Sequence, residues 1–111
     1  MEITAEVEMI SKKQTRSFPT KDGQTQTIDY VEMVLNNGIE RFACETASGN
    51  LAKVITEGEA ADRISKGDSV HAILINWASP AKTSDGREFF TNRIKVHQIK
   101  KIPDFREAPA F

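Results

Sequence analysis

The chain has little of several features that mark specialised protein classes. Its only cysteine is Cys44, so no internal disulfide can form and nothing indicates secretion. No apolar run approaches the ~18 residues of a membrane span. The opening stretch, MEITAEVEM, lacks the positive start and the apolar core of a signal peptide. We therefore expect a cytoplasmic protein with no membrane partner.

Residue patterns that hold metals, bind phosphates or activate nucleophiles are also missing. His71 and His97 stand apart from Cys44 in the sequence, and no CxxC, HxH or HExxH spacing occurs. There is no GxSxG motif and no phosphate-binding glycine loop. Cys44 alternates with Phe42 on an apolar strand face, which predicts a buried, inert thiol. We expect no enzyme, no cofactor and no metal site.

Positive charge is unevenly distributed along the 111 residues, a length that fits one domain. The net charge is −1, yet residues 11–27 carry +3 and residues 77–102 carry +4, while the remainder is acidic. A chance scatter of surface charge is one explanation. The other is an electrostatic footprint for a polyanion such as nucleic acid.

Apolar periodicity predicts five strands joined by polar segments. An Asn-Gly turn at 36–38 joins the second strand to the third. Residues 11–27 are a long loop or an extended hairpin, and residues 79–87 are a second long loop. The first strand alternates apolar residues that we expect to face inward: Ile3, Ala5, Val7 and Met9. The five predicted strands span 3–10, 28–35, 39–46, 69–78 and 88–102.

A near-helical spacing of apolar residues replaces this alternation over residues 50–64. Ser48 or Asn50 is a candidate cap, and Gly58 leaves two alternatives, one short helix or two turns separated by a break.

The order of three strands, a helix and two strands predicts an all-β fold with one short helix, a five-stranded OB-fold barrel with the helix between strands 3 and 4. Another small barrel or an α+β roll is the alternative. The domain spans 1–102, and 103–111 is a mobile tail.

Aromatic and basic residues gather around the two polar segments. Alternation from Ile94 and Val96 places Phe90 in the core and its neighbour Phe89 outside. We expect Trp77, Phe89 and Arg93 to share that outer face. Tyr30 is expected on the outer face, opposite the inward Val31. The candidate base-stacking residues are Trp77, Phe89, Tyr30 and Phe18. The candidate phosphate contacts are Arg16, Lys21, Lys82, Arg87, Arg93 and Lys95.

This combination favours binding of single-stranded nucleic acid. Aromatic rings stack on bases without needing a particular sequence, and cations neutralise phosphates. OB-folds bind oligonucleotides across strands 2 and 3, between the loops that join strands 1–2 and 4–5, and these two loops coincide with the basic segments. Outward carboxylates at Glu6, Glu8 and Glu32 oppose this interpretation because they repel phosphate.

Two stretches carry a resemblance to a known family: NLAKVITEGEAADRISKGDSVHAILIN and SDGREFFTNRIKVHQIKKI. Over residues 28–102 the pattern resembles bacterial single-stranded DNA-binding proteins and the related primosomal OB proteins. The resemblance implies an OB-fold, homo-oligomers such as dimers or tetramers, and sequence-independent DNA binding in replication, recombination or repair. The family's Gly/Gln-rich linker is absent, and its acidic partner-recruiting tail is only echoed by PDFREAPAF.

The leading prediction is a non-enzymatic protein that binds single-stranded DNA, with RNA left open, and that contacts replication or repair proteins through its tail. The alternative is a protein-interaction module whose exposed aromatic residues form an oligomer or partner interface. Salt separates the two, because phosphate contacts weaken steeply with ionic strength and an apolar interface does not.

Overall fold

The computed structural model describes residues 1–107. Most of its secondary structure is β-strand, as the period-two alternation of apolar residues predicts. The prediction of a mostly β chain with one short helix is confirmed. The strands are β1 (Glu2–Ile10), β2 (Gln14–Pro19), β3 (Thr25–Tyr30), β4 (Glu32–Asn36), β5 (Arg41–Thr46), β6 (Ser69–Lys82) and β7 (Glu88–Ile102). The helix α1 spans Gly49–Glu57, and a 3₁₀ turn spans Phe105–Glu107.

Five of the strands each pair with two neighbours, in the order β1-β4-β5-β7-β6 and back to β1. All these pairings are antiparallel except that of β5 with β7, which is parallel and covers only the residue pairs from Cys44↔Ile94 to Thr46↔Val96. The largest fully buried side chains come from this sheet, from the helix and from Val31 between β3 and β4: Leu35, Ile55, Leu74, Val7, Val31, Val70 and Val96.

Met9 departs from the predicted inward face of β1. Ile3, Ala5 and Val7 are buried as expected, whereas Met9 is 62% exposed. The pairing of β1 with β4 shifts register between Val7 and Met9. A bulge of this kind turns the following side chain to the other face of the sheet, so the expectation for Met9 was wrong.

Residues 14–30, here named the first arm, form a hairpin of β2 and β3 in a separate two-stranded sheet. Of the two alternatives for the first polar segment, the extended hairpin is therefore the one observed. At the base of the arm, the Lys13 ammonium lies 2.5 Å from Glu57 Oε1 on α1. The helix also contacts β3.

The β6–β7 hairpin extends well beyond the rest of the sheet. Pairing of β1 with β6 ends at Ile73, and pairing of β5 with β7 begins at Ile94. Residues 75–95 are here named the second arm, and within it residues 77–93 pair only with each other among the described strands. The predicted loop at 79–87 was too long, because strand pairing continues to Lys82↔Glu88.

This extension also corrects the prediction that Phe90 is a core residue. Phe90 is 76% exposed. Phe90 lies on the same side of β7 as the buried Val96, as predicted, but it pairs with Pro80 at a point where no other described strand pairs with the arm. Alternation identified the face, whereas burial depends on a neighbouring layer, and none of residues 1–107 supplies one there.

The helix α1 follows β5 and precedes β6. The Ser48 hydroxyl caps its start by accepting a 3.1 Å hydrogen bond from the Leu51 amide. The helix ends at Gly58, whose amide donates to the Val54 carbonyl at 3.0 Å, and residues 60–62 form a turn. Of the two alternatives for residues 50–64, the short helix followed by a turn is the one observed.

The segment after β7 returns to the sheet before the described residues end. Phe105 is only 8% exposed and is part of the 3₁₀ turn, which contacts β1. The start of the predicted mobile tail is therefore anchored by one buried ring. The rest of that prediction, for residues 108–111, lies outside the described residues.

We predict that Gly58→Ala destabilises the protein by about 1–3 kcal/mol, the typical cost of overpacking. A Cβ at this position would lie 2.5 Å from the Val54 carbonyl oxygen. Gly49→Ala is the matched control, because a Cβ there meets Asp29 backbone atoms at an ordinary 3.6 Å. Urea unfolding of both variants tests this, and equal stability of the two would contradict it.

Candidate nucleic-acid interface

A groove of about 1070 Å³ crosses the outer side of the sheet and continues onto the base of the second arm. Val34 and Ala43 pair across β4 and β5 within it, on the face opposite the buried Met33 and Phe42. Ile75, at the base of the second arm, extends this apolar strip. The groove thus offers an apolar surface between the two arms.

Trp77 and Phe89 share one face of the second arm with two cations. Trp77 pairs directly with Arg93, and Phe89 pairs with Ala81. Residues two apart on a strand point the same way, so these side chains and that of Lys95 lie on one face. Trp77 is 54% exposed and Phe89 is 43% exposed. The expectation that Trp77, Phe89 and Arg93 share a face agrees with this register.

The spacing of these aromatic rings follows from the strand geometry. Trp77 and Phe89 are four residue steps apart along the ladder, which corresponds to about 13 Å at ~3.3 Å per residue. Lys95 Nζ lies 6.0 Å from the centroid of the Trp77 ring, at the outer limit of a cation–π contact. Phe90 lies on the opposite face and does not belong to this set.

On the first arm, Tyr30 is not the open platform that alternation suggested. It ends β3 instead of continuing into β4, because the strand breaks at Val31. Its hydroxyl donates to Gln14 Oε1 at 3.2 Å. The Arg16 guanidinium lies over its ring at 4.3 Å from the centroid, so one ring face is already covered.

Nearer the tip of this arm, Phe18 is 42% exposed and pairs with Gln26. Lys21 lies in the exposed tip and forms no ion pair with any of the residues that the structure describes. The first arm therefore offers one aromatic ring and one unpaired cation toward its tip.

The phosphate-contact candidates of the second arm differ in their ion pairs and in the exposure of their side chains. Lys82 lies 3.7 Å from Glu88, and Arg87 lies 3.3 Å from Asp85. These side chains are highly exposed, so the pairs are weak and open to competition. Lys95 is more enclosed, with a side chain 25% exposed.

Glu45 is the site residue that sequence reasoning missed. The residue is 8% exposed, and three cations surround its carboxylate. Arg16 Nη2 lies 3.2 Å from Oε2, while Arg93 Nη1 and Lys95 Nζ lie 3.5 Å and 3.7 Å from Oε1. Alternation with Cys44 could have placed Glu45 on the outer face, but not among cations from both arms.

Both arms end in the same turn, Thr-x-Asp-Gly. Gly23 and Gly86 adopt φ of +82° and +87°, a left-handed conformation that suits glycine. The Thr20 hydroxyl donates to Asp22, and the Thr83 hydroxyl donates to Asp85.

These hydroxyl hydrogen bonds lower the pKa of both carboxyls below the ordinary 3.8, with help from the amides of the residue after each glycine. The carboxylates therefore serve to hold the turns.

The chain's thiol is unsuited to nucleophilic chemistry in the folded state. Burial raises the pKa of Cys44 to about 12, so the thiolate is scarce near neutral pH. Among residues 1–107, no group of three or more His, Cys, Asp and Glu side chains could hold a metal ion. No helix in the described part of the chain is long and apolar enough to cross a membrane.

No family model matches the chain, and no curated protein matches it. The functional argument therefore depends on the geometry of the groove and the two arms.

We predict that Thr83→Val raises the pKa of Asp85 toward 3.8, because the variant lacks the hydroxyl that donates to this carboxylate. The pKa of Asp22 should not change, because the equivalent turn of the first arm keeps Thr20. The wild-type bond stabilises the turn above pH 3.8, and this contribution is lost as the pH falls through the lowered pKa. Carboxyl ¹³C NMR titration measures both groups. An unchanged Asp85 pKa would contradict the assignment.

Proposed function

We propose that the protein is a non-enzymatic OB-fold module that binds single-stranded DNA or RNA with little sequence preference. The strand order supports the OB-fold assignment: five sheet strands pair in a ring, and the helix lies between the third and fourth of them. In OB-folds the second and third strands and the two flanking loops bind oligonucleotides. The corresponding elements here are β4, β5 and the two arms.

The observation that carries the proposal is the shared face of the second arm. Exposed Trp77 and Phe89 stand on it with Arg93 and Lys95, and it adjoins the groove. Single-stranded nucleic acid exposes flat bases along a chain of phosphates. Stacking contributes about 1–3 kcal/mol per base, and this term does not depend on base identity.

Charge supports the same ligand. Arg16 and Arg93 approach the groove from the first and second arms, respectively. Their neutralisation of phosphates would release counterions and make binding weaken with salt. The carboxylates that oppose binding are partly compensated, since Glu8 accepts from Arg41 Nε at 2.9 Å and 3.1 Å.

A second candidate function is a protein-interaction module, and two highly exposed apolar side chains favour it. Phe90 is 76% exposed beside Pro80, and Ile39 on the β4–β5 turn is 90% exposed. Apolar side chains this open suit a homo-oligomer or a partner interface. The two functions are compatible, because Phe90 and Phe89 lie on different faces.

We further propose a cytoplasmic role in replication, recombination or repair.

Titration of the single tryptophan, Trp77, with oligo-dT tests the proposal directly. We expect quenching at low salt, with an affinity that falls as log[salt] rises with a slope of about −0.7 per phosphate contacted. Duplex DNA of the same sequence should bind more weakly, because its bases are already stacked on one another. No quenching and no mobility shift at low salt would refute nucleic-acid binding.

Adjacent phenylalanines provide the matched control. Phe89→Ala should weaken binding by about 5- to 150-fold, the loss of one stacking contact of about 1–3 kcal/mol. Phe90→Ala removes the same ring from the other face and should change affinity by less than about twofold. The opposite ranking, with oligomerisation lost in Phe90→Ala and DNA binding unaffected by Phe89→Ala, would favour the interaction module alone.

A further inference from the structure

Glu45 is buried at a position where a carboxylate is costly. It lies on the outer face of β5, directly paired with Glu32 on β4, yet its side chain is only 10% exposed. Burying a carboxylate is unfavourable unless it is paired and hydrogen-bonded. Arg16, Arg93 and Lys95 supply that pairing.

The three cations come from the two arms, and the two arginines have N–H donors that do not contact Glu45. Arg16 comes from β2, whereas Arg93 and Lys95 come from β7. Each arginine approaches Glu45 through a single terminal nitrogen, although a guanidinium has five N–H donors. Their side chains are 40% and 54% exposed. Three positive charges against one negative charge leave an excess of two in this cluster.

The same cations also touch the aromatic side chains. Arg16 covers the Tyr30 ring, and Lys95 lies near the Trp77 ring. An anion that draws these cations away from Glu45 would therefore also change their contacts with the Tyr30 and Trp77 rings. Carboxylate and phosphate oxygens accept the same charge-assisted hydrogen bonds.

We propose that Arg16, Arg93 and Lys95 form a phosphate-binding site and that the Glu45 carboxylate occupies it in the free protein. In the free protein it holds the three cations together against their mutual repulsion. In the complex a backbone phosphate of the nucleic acid competes with Glu45 for them. Glu45 thereby limits the affinity of the interface, an inference that rests on the proposed function.

Glu45→Gln tests the proposal, with Glu32→Gln as the matched control. Both remove one negative charge from paired positions on neighbouring strands, but Glu32 forms no ion pair with any residue described. We expect Glu45→Gln to bind oligo-dT about three- to tenfold more tightly at low salt and to steepen the salt slope by about 0.7, the increment of one phosphate contact. Glu32→Gln should leave the slope unchanged.

Two results would overturn the proposal. One is binding by Glu45→Gln that is no tighter than that of the wild type, as expected if Glu45 only positions the cations. The other is an equal gain in both variants, as expected from a general loss of repulsion. If the wild type itself does not bind oligo-dT, the proposed function fails instead, so the two failures are distinguishable.

A wild-type measurement covers the case in which Glu45→Gln fails to fold. The side-chain carboxyl ¹³C resonance of Glu45 should shift on saturation with oligo-dT, because its cations are redistributed. Asp62, in the turn after α1, is the reference that should not shift. An unshifted Glu45 resonance in the saturated complex would refute the competition.

Discussion

The antiparallel ladder between β6 and β7 is the constraint on which the rest of the structure depends. One part of it pairs with β1 and β5 and contributes Leu74 and Val96 to the core. The other part projects as the second arm, whose residues 77–93 pair only with each other among the described strands. From Leu74↔Val96 to Lys82↔Glu88 the register is continuous, and it therefore links the packing of the core to the face that carries Trp77 and Phe89.

Sequence pattern predicted much of this arrangement because strand alternation is strictly local. It identified the shared face of Trp77, Phe89 and Arg93 and four of the five predicted strands, whereas the predicted strand 28–35 joins the end of β3 to β4 across the break at Val31. The errors arose where a non-local partner decides the outcome. Phe90 has the alternation of a core residue, but no part of the chain that the structure describes covers it. A bulge that depends on the partner strand turns Met9 outward.

The electrostatic centre of the site could not have been predicted for the same reason. Glu45 is separated by 29 residues from Arg16 and by 48 from Arg93, and only the fold brings the three together. Alternation predicted that Tyr30 continues into the strand of Glu32–Asn36, because the apolar pattern runs through the break at Val31 without interruption. The cations of both arms converge on one buried carboxylate, which joins two otherwise separate hairpins into one candidate interface.

We propose that one face of the second arm, together with the groove and the first arm, contacts the nucleic acid. Amide and indole NMR chemical shifts recorded during titration with oligo-dT test this most directly. We expect the largest changes on Trp77, Phe89, Arg93 and Arg16, with small changes on α1. Changes concentrated on the helix, or on Phe90 and Pro80 without Trp77 and Phe89, would contradict it.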